Sequence, residues 1–212
     1  MTQADLTRQR LVRAALELFT AQGYHVTTTP QIARKAGVAE GTIYRHFDGK
    51  QHLLNELFRG AARWALKLIR EADGAKVSPR EKLAALARGL VEGATREPAV
   101  VRLFFLVRPA PPGLLDDRSK EAAREFRAGL ESLVAQGKAD GSVKTGPAEI
   151  WAAVWLSVVT LALDRVSARD WPETHAGVGQ TLAAAWDAIA LAPVSSPSPN
   201  ISHSPLSPPA PA

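Results

Sequence analysis

Hydrogen-bonding and basic side chains concentrate in a short stretch near the start of this 212-residue chain, in the segment TTTPQIARKAGVAEGTIYRHFDGKQHLL, residues 27–54. The residues predicted to share its outer helical face are Glu40, Gly41, Thr42, Tyr44, Arg45 and His46. Hydroxyl, guanidinium and imidazole groups bind phosphate oxygens and the edges of bases. The chemistry predicted for this stretch is therefore recognition of nucleic acid.

Three spaced residues in the same stretch predict two short helices that cross at a tight turn. Ala33, Gly37 and Ile43 lie at offsets of four and ten residues. Ala33 is small enough for a close helix crossing, and Gly37 suits a turn position that requires a positive φ. Ile32 and Val38 join Ile43 in the expected core. The pattern is that of a helix-turn-helix, whose second helix lies in the major groove.

The elements that position this motif belong to a chain of amphipathic helices separated by glycine and proline. We predict about nine helices, over residues 3–22, 30–36, 40–47, 50–73, 79–97, 100–107, 117–136, 147–166 and 172–191. Thr28 or Thr29, Asp48 and Ser78 are the expected caps, and Pro30 occupies a first helical position.

The expected fold class is all-α. We predict an N-terminal three-helix domain with the helix-turn-helix over residues 1–50 and a second helical domain over residues 51–192. Residues 193–212 include seven prolines and no Lys, Arg, Asp or Glu. Such a composition cannot bury enough apolar area to offset its ordering entropy, so this tail is predicted to be disordered.

The charge distribution favours an anionic partner. The net charge is +5, and the first 60 residues hold 8 Lys and Arg against 5 Asp and Glu. A basic surface attracts nucleic acid first. The same modest excess also fits a solvated surface, so charge alone does not separate the two interpretations.

The sequence lacks the residues that define several other classes of protein. The chain has no cysteine, which excludes disulfides and thiolate metal sites. It contains no metalloprotease, serine-hydrolase, P-loop or dinucleotide motif, and its five histidines are scattered, so no enzyme, metal or cofactor is predicted. The longest apolar run, residues 150–163, is shorter than the roughly 18–20 residues of a membrane span. We expect a cytoplasmic protein without a membrane partner.

The N-terminal stretch resembles the DNA-binding domain of the TetR family of bacterial repressors over roughly residues 8–58. The matching residues are Ala15, Phe19, Gly23, Tyr24, Thr28, Thr29, Ile32, Ala33, Gly37, Val38, the run Gly41 to Phe47, and Lys50. One departure is Pro30, which stands where the family often has an acidic residue. Beyond this stretch, the chain resembles the family only in length and helical organisation.

The resemblance implies a set of DNA contacts. Thr28, Thr29, Tyr44, His46 and Lys50 match positions that hold phosphates. Gly41 and Thr42 lie where the recognition helix approaches base edges, and Arg45 is the best candidate for bidentate reading of guanine.

Each of these residues also has a simpler interpretation. The threonines also serve as helix caps, Tyr44 fits half-buried core, and Lys50 fits a solvated charge. Arg45 suits a phosphate as well as a base. Glu40 would repel phosphates and is interpreted as a capping or solubilising group.

The resemblance further implies a ligand cavity and a dimer interface in the C-terminal domain. The candidate ligand contacts are Trp64, Phe104, Phe105, Arg108, Trp151 and Trp155. The candidate interface residues are Trp151, Val154, Trp155, Val158, Leu161, Leu182, Trp186 and Ile189. Both sets also fit an ordinary intramolecular core, and Arg108 fits an exposed surface position.

The function implied is a homodimeric repressor that leaves a palindromic operator when a small apolar or amphipathic molecule binds. In the family, the ligand moves the fourth helix and changes the spacing of the two recognition helices. The alternatives are a constitutive DNA-binding activator or architectural protein, and an interaction module with a degenerate helix-turn-helix. Intact Thr42, Tyr44 and Lys50 argue against the degenerate module.

Overall fold

The computed structural model describes residues 2–106 and 113–191 and confirms the all-α fold class within them. The helices are α1 (Gln3–Gln22), α2 (Thr29–Ala36), α3 (Ile43–His46), α4 (Lys50–Gly74), α5 (Pro79–Arg96), α6 (Pro98–Val101), α7 (Asp117–Ala139), α8 (Ala148–Ser167) and α9 (Ala176–Ile189). A 3₁₀ turn, Glu40–Thr42, precedes α3, and a π-helical turn, Arg102–Leu106, follows α6. Arg108 and the tail after residue 191 lie outside the described residues.

Local sequence chemistry accounts for where the first helices begin and end. Thr28 caps α2 and forms a reciprocal capping box with Gln31, so the side chain of each residue binds the backbone N–H of the other. Gly37 follows α2 with φ 64° and ψ 44°, the left-handed conformation that glycine adopts without steric cost. Ser78 caps α5 in the same reciprocal way with Glu81. The predicted caps Thr28 and Ser78 are thus confirmed.

One predicted cap and one predicted helix start are wrong, whereas the predicted start of α4 at Lys50 is confirmed. Gly49, not Asp48, is the N-cap of α4; the Asp48 side chain instead lies 3.3 Å from Nδ1 of His52. The last helix begins at Ala176 rather than near residue 172. Its cap is His175, whose Nδ1 accepts the N–H of Gly177 and whose ring stacks on Trp171. Because histidine is an uncommon helix cap, the sequence pattern placed the start of this helix at Trp171-Pro172 instead.

The apolar side chains form two cores that meet at α4. The N-terminal core contains Leu11, Phe19, Ile32, Ile43, Phe47, Leu53, Leu57 and Leu103. The C-terminal core includes Ile69 from the far half of α4, together with residues of α5, α7, α8 and α9. Because α4 contributes side chains to both cores, it links the DNA-binding domain to the rest, and α1 adds contacts to α6 and the π-helical turn.

α8 is the one helix among the described residues that is long and apolar enough to cross a membrane. Neighbouring helices account for part of the apolar character of this helix, because α8 packs on α9, α7 and α5 and buries residues such as Trp155 and Val159. A core helix satisfies the same criterion of length and composition.

Candidate nucleic-acid interface

The start of α2 and the residue Tyr44 form a hydroxyl pair on the surface of the N-terminal domain. The hydroxyl oxygens of Thr29 and Tyr44 lie 3.2 Å apart. Tyr44 is 58% exposed, which rules out the alternative that it is half-buried core. The capping box occupies the N–H groups of Thr28 and Gln31, and Pro30 has none, so the N–H of Thr29 remains as a donor in this first turn. Two hydroxyls and a helix N-terminus together suit a phosphate oxygen.

The recognition element consists of the 3₁₀ turn and α3, held in place by two apolar side chains. Ile43 is 0% exposed and Phe47 is 2% exposed, and both belong to the N-terminal core. Of the other residues of the element predicted to contact DNA, Gly41, Tyr44 and Arg45 are exposed, while Thr42 and His46 are half-buried. Residues predicted to contact DNA therefore lie on one side of this element, beside the hydroxyl pair.

Lys50, predicted to contact phosphate, makes its hydrogen bonds inside the protein. Its Nζ donates to the carbonyl oxygens of Tyr24 and Thr27, at 2.8 Å each, and lies 4.2 Å from the centroid of the Tyr24 ring. Burial lowers the pKa of the Lys50 ammonium. This geometry gives Lys50 a positioning role at the loop between α1 and α2, and its phosphate contact remains a prediction.

Sequence reasoning missed three residues that hold the motif. Thr27 is fully buried, and its Oγ1 donates to the carbonyl of Gly23. Arg10 reaches from α1 to the carbonyl of Gly37 at 3.2 Å. Gln31 completes the capping box, and the Thr-x-x-Gln spacing was a signal available for finding it. The Arg10 contact joins residues 27 positions apart, and the Thr27 contact depends on the burial of its side chain, so neither had a signal in the sequence.

The predicted ligand contacts do not converge on one described cavity. Trp64 lines a cleft of about 760 Å³ between α1, α4, α5 and α6. Its ring packs on Gly93, where an added Cβ would lie 2.2 Å from Trp64 Cζ2, so only glycine permits this approach. Phe104 and Phe105 instead form an aromatic cluster with Phe58 and Phe126, at centroid distances of 4.8–5.4 Å.

The two tryptophans of α8 lie in environments different from the ligand cavity predicted for them. Trp155 is 2% exposed and packed in the C-terminal core, so intramolecular packing accounts for its side chain, and its ligand contact remains a prediction. Trp151 is half-buried at the start of α8, where its Nε1 donates to the carbonyl of Thr145 at 2.8 Å. Arg108 lies outside the described residues.

The predicted dimer residues divide between a core side and an outward side. Trp155 and Ile189, at 2% and 0% exposure, are corrected to intramolecular core because no surface of either reaches a partner. Leu161 is 49% exposed, and Ile150, which the prediction omitted, is 50% exposed. The half-buried members of the predicted set are Trp151, Val154, Val158, Leu182 and Trp186. An outward apolar face on α8 therefore remains, and it includes the exposed residues Ile150 and Leu161.

These features define a class: a helix-turn-helix DNA-binding domain joined through α4 to a second helical domain. The sequence model of the family described as "Bacterial regulatory proteins, tetR family" matches residues 11–57. The HTH-type transcriptional regulator SrpR of Pseudomonas putida is 56% identical over 52 residues, which are 24% of this chain and 24% of SrpR. The N-terminal domain, over residues 11–57, thus belongs to the TetR family of bacterial regulatory proteins.

The likeness to solved structures extends over both domains. A tetR family transcription regulator from Shewanella sp. PV-4 aligns with a TM-score of 0.71 and 25% identity, covering 87% of this chain and 98% of that one. The regulator FadR from Bacillus subtilis, solved in complex with stearoyl-CoA, aligns with a TM-score of 0.70 and 21% identity, covering 85% and 98%. By sequence, however, this chain spans only about a quarter of the length of SrpR.

Proposed function

We propose that this transcriptional regulator is a cytoplasmic repressor that binds a palindromic operator as a homodimer and leaves it when a small molecule binds. The observation that carries the proposal is the exposed Thr29–Tyr44 hydroxyl pair beside the free guanidinium of Arg45. Within residues 2–106 and 113–191, Arg45 forms no hydrogen bond or ion pair, so its five donors are available to DNA.

The operator is to be found before any variant is compared. DNA upstream of the protein's own coding region and a selection from random duplexes provide candidate sites. Titrations of the selected site at two salt concentrations then separate specific from electrostatic binding, because phosphate contacts by cations release counterions. Failure of both searches would contradict the proposal.

Replacing Arg45 by alanine is expected to weaken specific binding by about 1–3 kcal/mol and to relax preference at one base pair, if the guanidinium reads guanine.

Tyr44→Phe removes only a neutral hydroxyl. We expect it to cost about 1 kcal/mol on all sequences, with no change in the salt dependence of the dissociation constant. The measurement is fluorescence titration of the selected duplex and of its single-base variants.

The matched control for Arg45→Ala is Arg127→Ala, which removes an exposed arginine of α7 outside the interface. Arg127→Ala is expected to leave affinity and base preference unchanged. If Arg45→Ala lowers the salt dependence without changing base preference, Arg45 contacts phosphate and does not read sequence. Equal effects of the two substitutions would remove Arg45 from the interface.

A second part of the proposal is an apolar or amphipathic effector. The cleft that Trp64 lines has a volume within the range of about 300–1,000 Å³ common for ligand sites. Its lining includes Leu16, Leu57 and Val101, so it touches α1, α4 and α6 together. A molecule that binds better when these helices are differently spaced would shift the protein away from its DNA-binding state.

Stearoyl-CoA, the ligand of the FadR structure, is the first effector to test. We expect it to weaken operator binding by about 5–150-fold, the range typical of allosteric coupling, while free coenzyme A has no effect. Trp64→Ala is expected to reduce this response and leave operator affinity without ligand unchanged. No response of the wild type to the acyl thioester would reject this ligand class, and a full response of Trp64→Ala would place the ligand elsewhere.

A further inference from the structure

A buried polar cluster ties the start of α7 to the first turns of α4. Asn55, 2% exposed, donates through Nδ2 to the carbonyl of Leu114 at 2.9 Å and to that of Gln51 at 2.9 Å. Its Oδ1 accepts the N–H of Asp116 at 2.8 Å. Because a buried amide is costly to leave unpaired, these bonds fix the segment that precedes α7 against α4.

Two more residues on the same face of α4 reinforce the connection. Gln51 Nε2 donates to the Leu114 carbonyl at 3.0 Å, and Arg59 donates to the Asp116 carboxylate at 2.7 Å. The other oxygen of Asp116 caps α7 by accepting the N–H of Ser119. Gln51, Asn55 and Arg59 are spaced four residues apart, so they lie on one helical face over about 12 Å.

The same part of α4 also holds the loop that leads to the DNA-contacting residues. Lys50 donates to the carbonyls of Tyr24 and Thr27, and the next residues along the chain are Thr28 and Thr29. Lys50 and Asn55 are five residues apart, about 7.5 Å along the helix axis. The six residues from Lys50 to Asn55 are therefore bonded both to the α1–α2 loop and to the segment that precedes α7.

We infer that Asn55 is a positioning residue for DNA binding, acting through α4 and Lys50 on the α1–α2 loop. Loss of its bonds to Leu114 and Asp116 loosens the first turns of α4 against the start of α7, where only the bonds of Gln51 and Arg59 remain, and Lys50 shifts with them. The carbonyls of Tyr24 and Thr27 then lose their fixed partner, and the Thr29–Tyr44 pair loses its geometry. This inference rests on the proposed function, because the consequence that it names is a loss of operator affinity.

The test compares Asn55→Leu, Lys50→Met and the double variant, using the full-length chain. Asn55→Leu keeps the side-chain volume and removes the hydrogen bonds. At a temperature where every variant is folded, we expect it to weaken operator binding by about 5–30-fold and to speed amide hydrogen exchange at residues 24–28. We expect the double variant to bind no more weakly than Lys50→Met alone, because both substitutions release the same loop.

A stability-matched control separates positioning from general destabilisation. Leu133→Ala removes a fully buried side chain of α7 that takes no part in the polar cluster. It is expected to lower stability at least as much as Asn55→Leu while leaving operator affinity and loop exchange unchanged. Wild-type affinity in Asn55→Leu, or multiplied effects of Lys50→Met and Asn55→Leu, would overturn the inference. If the wild type has no operator, the proposed function fails, and hydrogen exchange at residues 24–28 still decides whether Asn55 holds the loop.

Discussion

Replacing Leu161 by aspartate is expected to convert the proposed dimer to a monomer without unfolding it. Leu161 lies half-exposed on the outward face of α8, in line with Ile150. In a two-fold symmetric interface each substitution occurs twice, so two carboxylates would be buried without partners. A monomer engages one half-site at a time. Affinity for a two-half-site operator should then fall by about 10²–10⁴, the usual gain from linked binding.

Analytical ultracentrifugation and operator titration measure the two parts of this prediction. Affinity for a single half-site should remain as in the wild type, because Leu161 is remote from the recognition element. Val77→Asp is the matched control: it charges an apolar residue, 45% exposed, in the loop before α5. A dimeric Leu161→Asp variant would show that the outward face of α8 is not the interface.

Replacing Trp155 by alanine is expected to lower the free energy of unfolding by about 3–5 kcal/mol, the usual cost of truncating a buried aromatic side chain. Trp155 is 2% exposed and packs in the C-terminal core. That loss is a large share of the total stability of a typical domain, about 5–15 kcal/mol. Urea unfolding at a fixed protein concentration measures the difference, since dimer formation makes stability depend on concentration.

Trp151→Ala provides the comparison within the same helix. Trp151 is half-buried and has one hydrogen bond, from Nε1 to the Thr145 carbonyl. Its removal is expected to cost about 1–2 kcal/mol, within the ordinary range for single substitutions. A Trp155→Ala protein that keeps wild-type stability but sediments as a monomer would return Trp155 to the interface and contradict its assignment to the core.

Local patterns were sufficient to predict most helices and the turn at Gly37. A glycine in the left-handed conformation, a threonine cap and periodic leucines each act within a few residues of the chain. The start of α9 was predicted wrongly because local patterns favour Trp171-Pro172 as a helix start, whereas the observed cap, His175, is a residue type that rarely caps helices.

The candidate site was predictable only in part. Tyr44 and Arg45 follow from the helix-turn-helix pattern, since that pattern fixes which side chains face outward. The environment of Lys50 does not, because its carbonyl partners lie 23–26 residues away in the chain. Trp155 was wrongly predicted to lie in the dimer interface. A helix packed within its own subunit on two sides has the same apolar composition as a helix that packs against a partner subunit on one side. Burial separates these cases, and burial is a property of the whole fold.

The recognition element is anchored by very few inward side chains. Ile43 and Phe47 supply its buried contacts, whereas Gly41, Thr42, Tyr44, Arg45 and His46 project from the other side. The residues that fold the element and the residues proposed to contact DNA are therefore different residues. Changes at the outward positions leave the small core intact, so operator preference is free to diverge during evolution with little loss of stability. A gene duplicate of this regulator would acquire a new target by exchanging a handful of surface side chains.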